Sequence, residues 1–143
     1  MEERRTLKLY DYYLVSYFPV FLAIIFELFI SIVSVDSYID GLVSSQYFSI
    51  HWIIRIVIFL LIARNIVYRL DGPGLDGVKT GMLAGLFLGL FFGLFSFFYE
   101  PTLGAFFYFL ALPWQTVIAG LVITGGATFL LSQYSHEQSK LNE

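Results

Sequence analysis

Between Val78 and Tyr99 the chain reads VKTGMLAGLFLGLFFGLFSFFY, with Gly81, Gly85, Gly89 and Gly93 recurring every fourth residue among Leu, Phe and Ala. In water such a helix would be poor, because each glycine costs roughly 1 kcal/mol relative to alanine. In lipid the backbone has no competing partner and bonds to itself, so the helix persists. The glycines then leave a groove along one side, into which another helix can pack closely. The stretch specifies a membrane helix built to be packed against.

The rest of the chain fits that setting. Only 13% of the 143 residues are charged, whereas soluble domains carry about 25%. The mean hydropathy is +0.77, and the apolar residues come in long runs. A net charge of -3 is too small to imply a nucleic-acid partner, and the absence of Cys excludes disulfides, thiolate metal sites and cysteine nucleophiles. The opening MEERRTLKLYDYY is too polar, and lacks the small-residue site, for a cleavable signal peptide.

Four apolar runs, at about 18–35, 50–68, 78–99 and 111–131, each approach the roughly 20 residues that cross a bilayer core. The expectation is therefore all-α: a polytopic membrane protein with a four-helix transmembrane bundle over 18–132. Residues 1–17, with Tyr10, Tyr12, Tyr13 and Tyr17, read as an interfacial lead-in, and Pro19 then falls in the first turn of the first span. The AFFYFL stretch from Ala105 reads as interfacial, with a break at Leu112 before Pro113. Residues 133–143 form a polar tail. Arg4, Arg5 and Lys8 precede the first span, Arg69 and Lys79 flank the middle loop, and Lys140 lies in the tail, while the other two connections have no basic residue. The positive-inside rule then places both termini in the cytoplasm.

In the fourth span Thr116, Gly120, Thr124 and Thr128 also recur every fourth residue, and a short connection makes this span the natural antiparallel neighbour of the glycine helix. The two stripes read as an internal hairpin seam. The sharper alternative is a homo-oligomer interface or a pore lining.

Glu27 falls near the middle of the first span, where a charge is expensive by at least ~2.5 kcal/mol. Ser16, Ala23, Ser31 and Ser34 share its face. In the second span His51, Arg55, Ile58, Ile62, Asn65 and Arg69 form one stripe. If the two spans are antiparallel, Glu27 and Arg55 lie at similar depth. One reading is a buried ion pair that only satisfies itself; the other is a proton or cation site at which a substrate replaces Arg55.

His51 and His136 fall at opposite faces and cannot share a metal, and a lone interfacial histidine needs no special role. The outer face carries Asp36, Asp40 and Glu100 with Tyr38, Tyr47, Trp52, Tyr99, Tyr108 and Trp114. That set is either an ordinary interface belt or a cation-attracting vestibule, with His51, Glu100, Trp52 and Trp114 as its candidate polar and aromatic residues. The loop RLDGPGLDGVKTG, with Asp-Gly pairs at Asp71 and Asp76, reads as a turn-rich connector.

No catalytic constellation is visible, so no enzyme activity and no metal or other cofactor is expected. The expected role is structural, or that of a subunit in a larger complex. Its expected partners are the lipid bilayer and either a second copy or another membrane subunit. The alternative is a small transporter or channel for a cation or proton-coupled solute, using Glu27.

Overall fold

The computed structural model describes residues 8–35, 42–70, 74–99 and 101–141, with side chains described for 8–30, 51–70, 74–98 and 101–135. Four helices follow in order: α1 (Leu9–Val35), α2 (Leu42–Leu70), α3 (Gly74–Tyr99) and α4 (Leu103–Leu141). Three contain stretches long and apolar enough to cross a membrane: Leu9–Ile30, Gly74–Phe98 and Leu103–Ser135. The described part of α2 is not among them; it carries His51, Arg55, Arg64, Asn65 and Arg69.

Successive helices run antiparallel. The most extensive pairing is α3 with α4; α2 packs on α4, and α1 packs on α2 and α3. Among the described residues α1 does not touch α4, so these two occupy opposite corners. The core between them holds Val15, Ala23, Ile58, Phe59, Ile62, Ile66, Ala84, Leu88, Phe92 and Leu112. Outside it, Phe18, Phe21, Phe29, Leu86, Phe87, Phe107 and Val122 are exposed, while Glu27, Arg55, Thr80, Thr116, Thr124 and Thr128 are buried. Water-soluble proteins rarely present so much contiguous apolar surface.

The second helix begins at Leu42 rather than near residue 50, and the sequence reading is overturned in three further places, each for a local reason. First, α1 starts at Leu9 rather than near Phe18. The Lys8 amide donates to the Asp11 carboxylate at 2.8 Å, closing the helix start as the acid of a capping box does. Pro19 therefore lies well inside the helix, where its missing N–H leaves the Val15 carbonyl without an intrahelical donor. The Asn65 side chain of α2 donates to that carbonyl at 3.2 Å.

Second, α4 does not break at Leu112. Thr102 caps it, accepting from the Ala105 amide at 3.1 Å, and the helix runs through Pro113, so the AFFYFL stretch forms its first turns. Pro113 is tolerated because α3 holds that turn: Gly89 seats against its backbone, and Gly93 lies against Phe109, whose carbonyl the proline frees. Residues 133–141 continue α4 and are helical as well.

Third, the second Asp-Gly pair is not a turn. Asp76 and Gly77 belong to the first turn of α3, where a carboxylate favours the positive end of the helix dipole. Tyr12 Oη donates to Asp76 Oδ1 at 2.7 Å, tying α1 to α3.

Candidate functional site at the Glu27–Arg55 contact

The groove of α3 is filled by α4. A β-carbon at Gly77 would strike Thr128, at Gly81 the Gly120 carbonyl, at Gly85 the Thr116 carbonyl, and at Gly89 Thr116 and Pro113; at Gly93 it would press on Phe109. Thr116 Oγ1 reaches across to the Gly85 carbonyl at 2.7 Å. Thr124 donates the other way, to the Phe59 carbonyl of α2 at 3.3 Å, and Thr128 bonds back to the Thr124 carbonyl at 2.7 Å. The small residues of α4 thus serve two neighbours, and their hydroxyls saturate backbone oxygens that no water reaches. With the groove occupied inside one chain, it presents no open surface as a pore lining or as a docking face for another copy.

The charged contact lies between α1 and α2. Antiparallel packing aligns Val15 with Asn65 at one level and Glu27 with Arg55 three turns further on. Arg55 Nε donates to Glu27 Oε1 at 2.9 Å and Nη2 donates to Oε2 at 2.7 Å, a fork-on-fork geometry. Glu27 is 0% exposed and Arg55 is 3% exposed. His51 Nδ1 lies 3.1 Å from Glu27 Oε2; because an ionised carboxylate only accepts, His51 donates from Nδ1. The histidine is 22% exposed and forms the open edge of the cluster.

The remaining faces of the guanidinium are covered by rings. Its carbon lies 5.5 Å from the centre of the Trp52 ring and 5.6 Å from that of Phe92 on α3. Tyr108 of α4 stands beside it. All four helices therefore contribute to the setting of Arg55. A delocalised cation between aromatic faces gains quadrupole attraction where water is excluded.

Of the outer-face candidates, His51 and Trp52 join this cluster. Trp114 does not: it is 71% exposed on α4, and no hydrogen bond or ring contact links it to the cluster. Glu100 and the acids Asp36 and Asp40 lie outside the described residues, as do the side chains of Ser31, Ser34, Tyr38, Tyr47, Tyr99 and His136. Among the described residues no three of His, Asp and Glu come together as a metal set.

Two contacts were not anticipated from sequence. The Tyr12–Asp76 bond joins residues read separately as an interfacial tyrosine and a turn acid, and nothing in either local pattern points to the other. The Asn65–Val15 bond did have a signal. A proline inside a helix orphans a carbonyl four residues earlier, and Asn65 is a polar residue on the core-facing stripe of the neighbouring helix.

These features define a small all-helical protein with three helices apolar enough to cross a membrane and a charged contact sealed in its interior. Comparison of the chain with protein-family models, with curated proteins and with solved structures gives no match.

Proposed function

We propose that this chain is an integral membrane protein of four spans, with both termini cytoplasmic, and that its role is structural or that of a complex subunit. The observation that carries the reading is the closed state of the Glu27–Arg55 pair. Both carboxylate oxygens and two guanidinium nitrogens are engaged with each other, and rings cover the cation. A carboxylate awaiting a substrate cation needs an open side; this one is occupied by a bidentate arginine. The pair acts as a clasp between α1 and α2.

The same clasp supports α2 as the fourth span. Its 29 residues reach roughly 43 Å, more than a hydrocarbon core requires. Its costliest charge, Arg55, is turned inward and neutralised, while Arg64 and Arg69 lie towards the C-terminal end, where long side chains reach headgroups.

A second reading rests on His51. It touches Glu27 and is the least buried member of the cluster, so it offers a path by which a proton reaches the carboxylate. In that reading Glu27 exchanges Arg55 for a cation or proton during transport.

Reconstitution separates the two. Purified full-length protein in liposomes loaded with a pH-sensitive dye, under an imposed potential, should show no flux that depends on Glu27. A proton or cation flux that disappears in a folded Glu27→Gln variant would overturn the structural reading.

A further inference from the structure

The outward face of α4 carries a polar side chain with nothing to bond. Gln115 is exposed, and no hydrogen bond involves its amide among the described residues. It sits within the apolar stretch Leu103–Ser135, next to Thr116, which bonds the Gly85 carbonyl close to the middle of the apolar stretch Gly74–Phe98 of α3. With that level at the centre of the bilayer, the edge of the hydrocarbon core is on the order of 15 Å away, beyond the reach of a glutamine side chain. A primary amide has two donors and two acceptor lone pairs, and lipid offers nothing to satisfy them.

Ile118, Val122 and Phe129 follow Gln115 on the same exposed face, spaced by three, four and seven residues. Gly126 lies there too, and a β-carbon built on it would meet nothing within 4 Å. It differs from the glycines of α3, each of which is pressed against α4. The face therefore combines an apolar strip of about three turns, an unfilled notch and an unmet amide.

We propose that this face, centred on Gln115, Val122 and Gly126, is a two-fold seam with a second copy of this chain. The inference rests on the membrane reading given above. Two copies inserted with the same topology bring their α4 helices together in parallel, so each residue near the two-fold axis meets its own counterpart. An amide is its own complement: one Gln115 donates its N–H to the carbonyl of the other and accepts in return. That self-complementarity selects a second copy over an apolar partner, which would leave Gln115 unmet. Gly126 opposite Gly126 lets the two backbones approach.

The chain has no Cys, so single cysteines report directly. Val122→Cys and, as a control, Phe21→Cys on α1 are oxidised in native membranes. Both positions are exposed, and α1 stands at the corner opposite α4. The expected result is a covalent dimer for Val122→Cys and none for Phe21→Cys. Adding Gln115→Leu should weaken association about fivefold, as removal of one interhelical polar contact in lipid does. Absence of the Val122→Cys dimer overturns the seam, as does equal crosslinking of both variants. An adduct with a different protein overturns the second copy as occupant, and an unchanged dimer with Gln115→Leu overturns the role of the amide. A membrane-impermeant maleimide distinguishes a different failure: ready labelling of Phe21→Cys and Val122→Cys would mean that the helices are not in lipid, which removes the membrane reading itself.

Discussion

Gly81 and Gly120 lie backbone against backbone: a β-carbon on either would fall onto the carbonyl of the other. No side chain separates α3 from α4 at that level, and the dispersion energy of the hairpin depends on the approach. Each atom pair contributes only ~0.1–0.2 kcal/mol, but the contact extends from Gly77 to Gly93.

Gly81→Val should therefore destabilise the protein by about 3 kcal/mol, by overpacking against backbone that cannot move aside. Gly126→Ala, with open space around it, should leave the unfolding midpoint of the monomer unchanged. Thermal unfolding in detergent, followed by monodispersity, compares the two. Equal midpoints for both variants would mean that α3 and α4 are not in close contact.

Tyr12→Phe should lower stability by about 1–3 kcal/mol, because it leaves the buried Asp76 carboxylate without its donor. Tyr12→Phe combined with Asp76→Leu should recover part of the loss. The same unfolding assay reads both, and no effect of Tyr12→Phe would mean that Asp76 finds water at the end of the bundle.

Asn65→Leu should cost more than an exposed Asn substitution, about 1–2 kcal/mol, since it orphans the carbonyl that Pro19 frees. Pro19→Ala restores the intrahelical donor and should make Asn65→Leu nearly neutral. A loss that persists in the Pro19→Ala background would break the link between the two residues.

Much of this geometry was legible in the sequence, and the reason is periodicity. Residues spaced by three and four share a helix face, and short connections force antiparallel neighbours, which sets Glu27 and Arg55 at similar depth and pairs the small-residue stripes of α3 and α4. The register of that seam was not legible: it is Gly81, not Gly85 or Gly89, that meets Gly120 and Thr124, while Gly85 meets Thr116. Contacts that depend on side-chain reach were not legible. His51 shares the stripe of Arg55 one turn away, which brings it near the pair, but that spacing did not show which group it bonds, Glu27 Oε2. Helix starts were misplaced for a related reason. Capping by Asp11 and Thr102 extends α1 and α4 outward through Tyr- and Phe-rich turns, and amphipathic composition cannot separate such turns from an interfacial coil. Pro113 suggested a break because local rules describe a helix alone, whereas Gly89 of α3 holds the turn from outside.

Topology has its own test. Single cysteines replacing Ser45 and Ser139 should behave oppositely in intact cells, with Ser45→Cys labelled by an impermeant reagent and Ser139→Cys protected. The reverse pattern would invert the orientation drawn from the basic residues.

The clasp between α1 and α2 is the centre of the account, and a double-mutant cycle on Glu27 and Arg55 tests it most directly. Glu27→Gln leaves the buried Arg55 charge facing a neutral amide, and Arg55→Met leaves the buried Glu27 without its guanidinium, with His51 still in contact; each should cost about 3–5 kcal/mol. The double variant should recover much of that loss, because a matched neutral pair has nothing stranded. A strong favourable coupling measured by unfolding in detergent is the result this structure predicts; losses that simply add would show that the two residues do not hold each other.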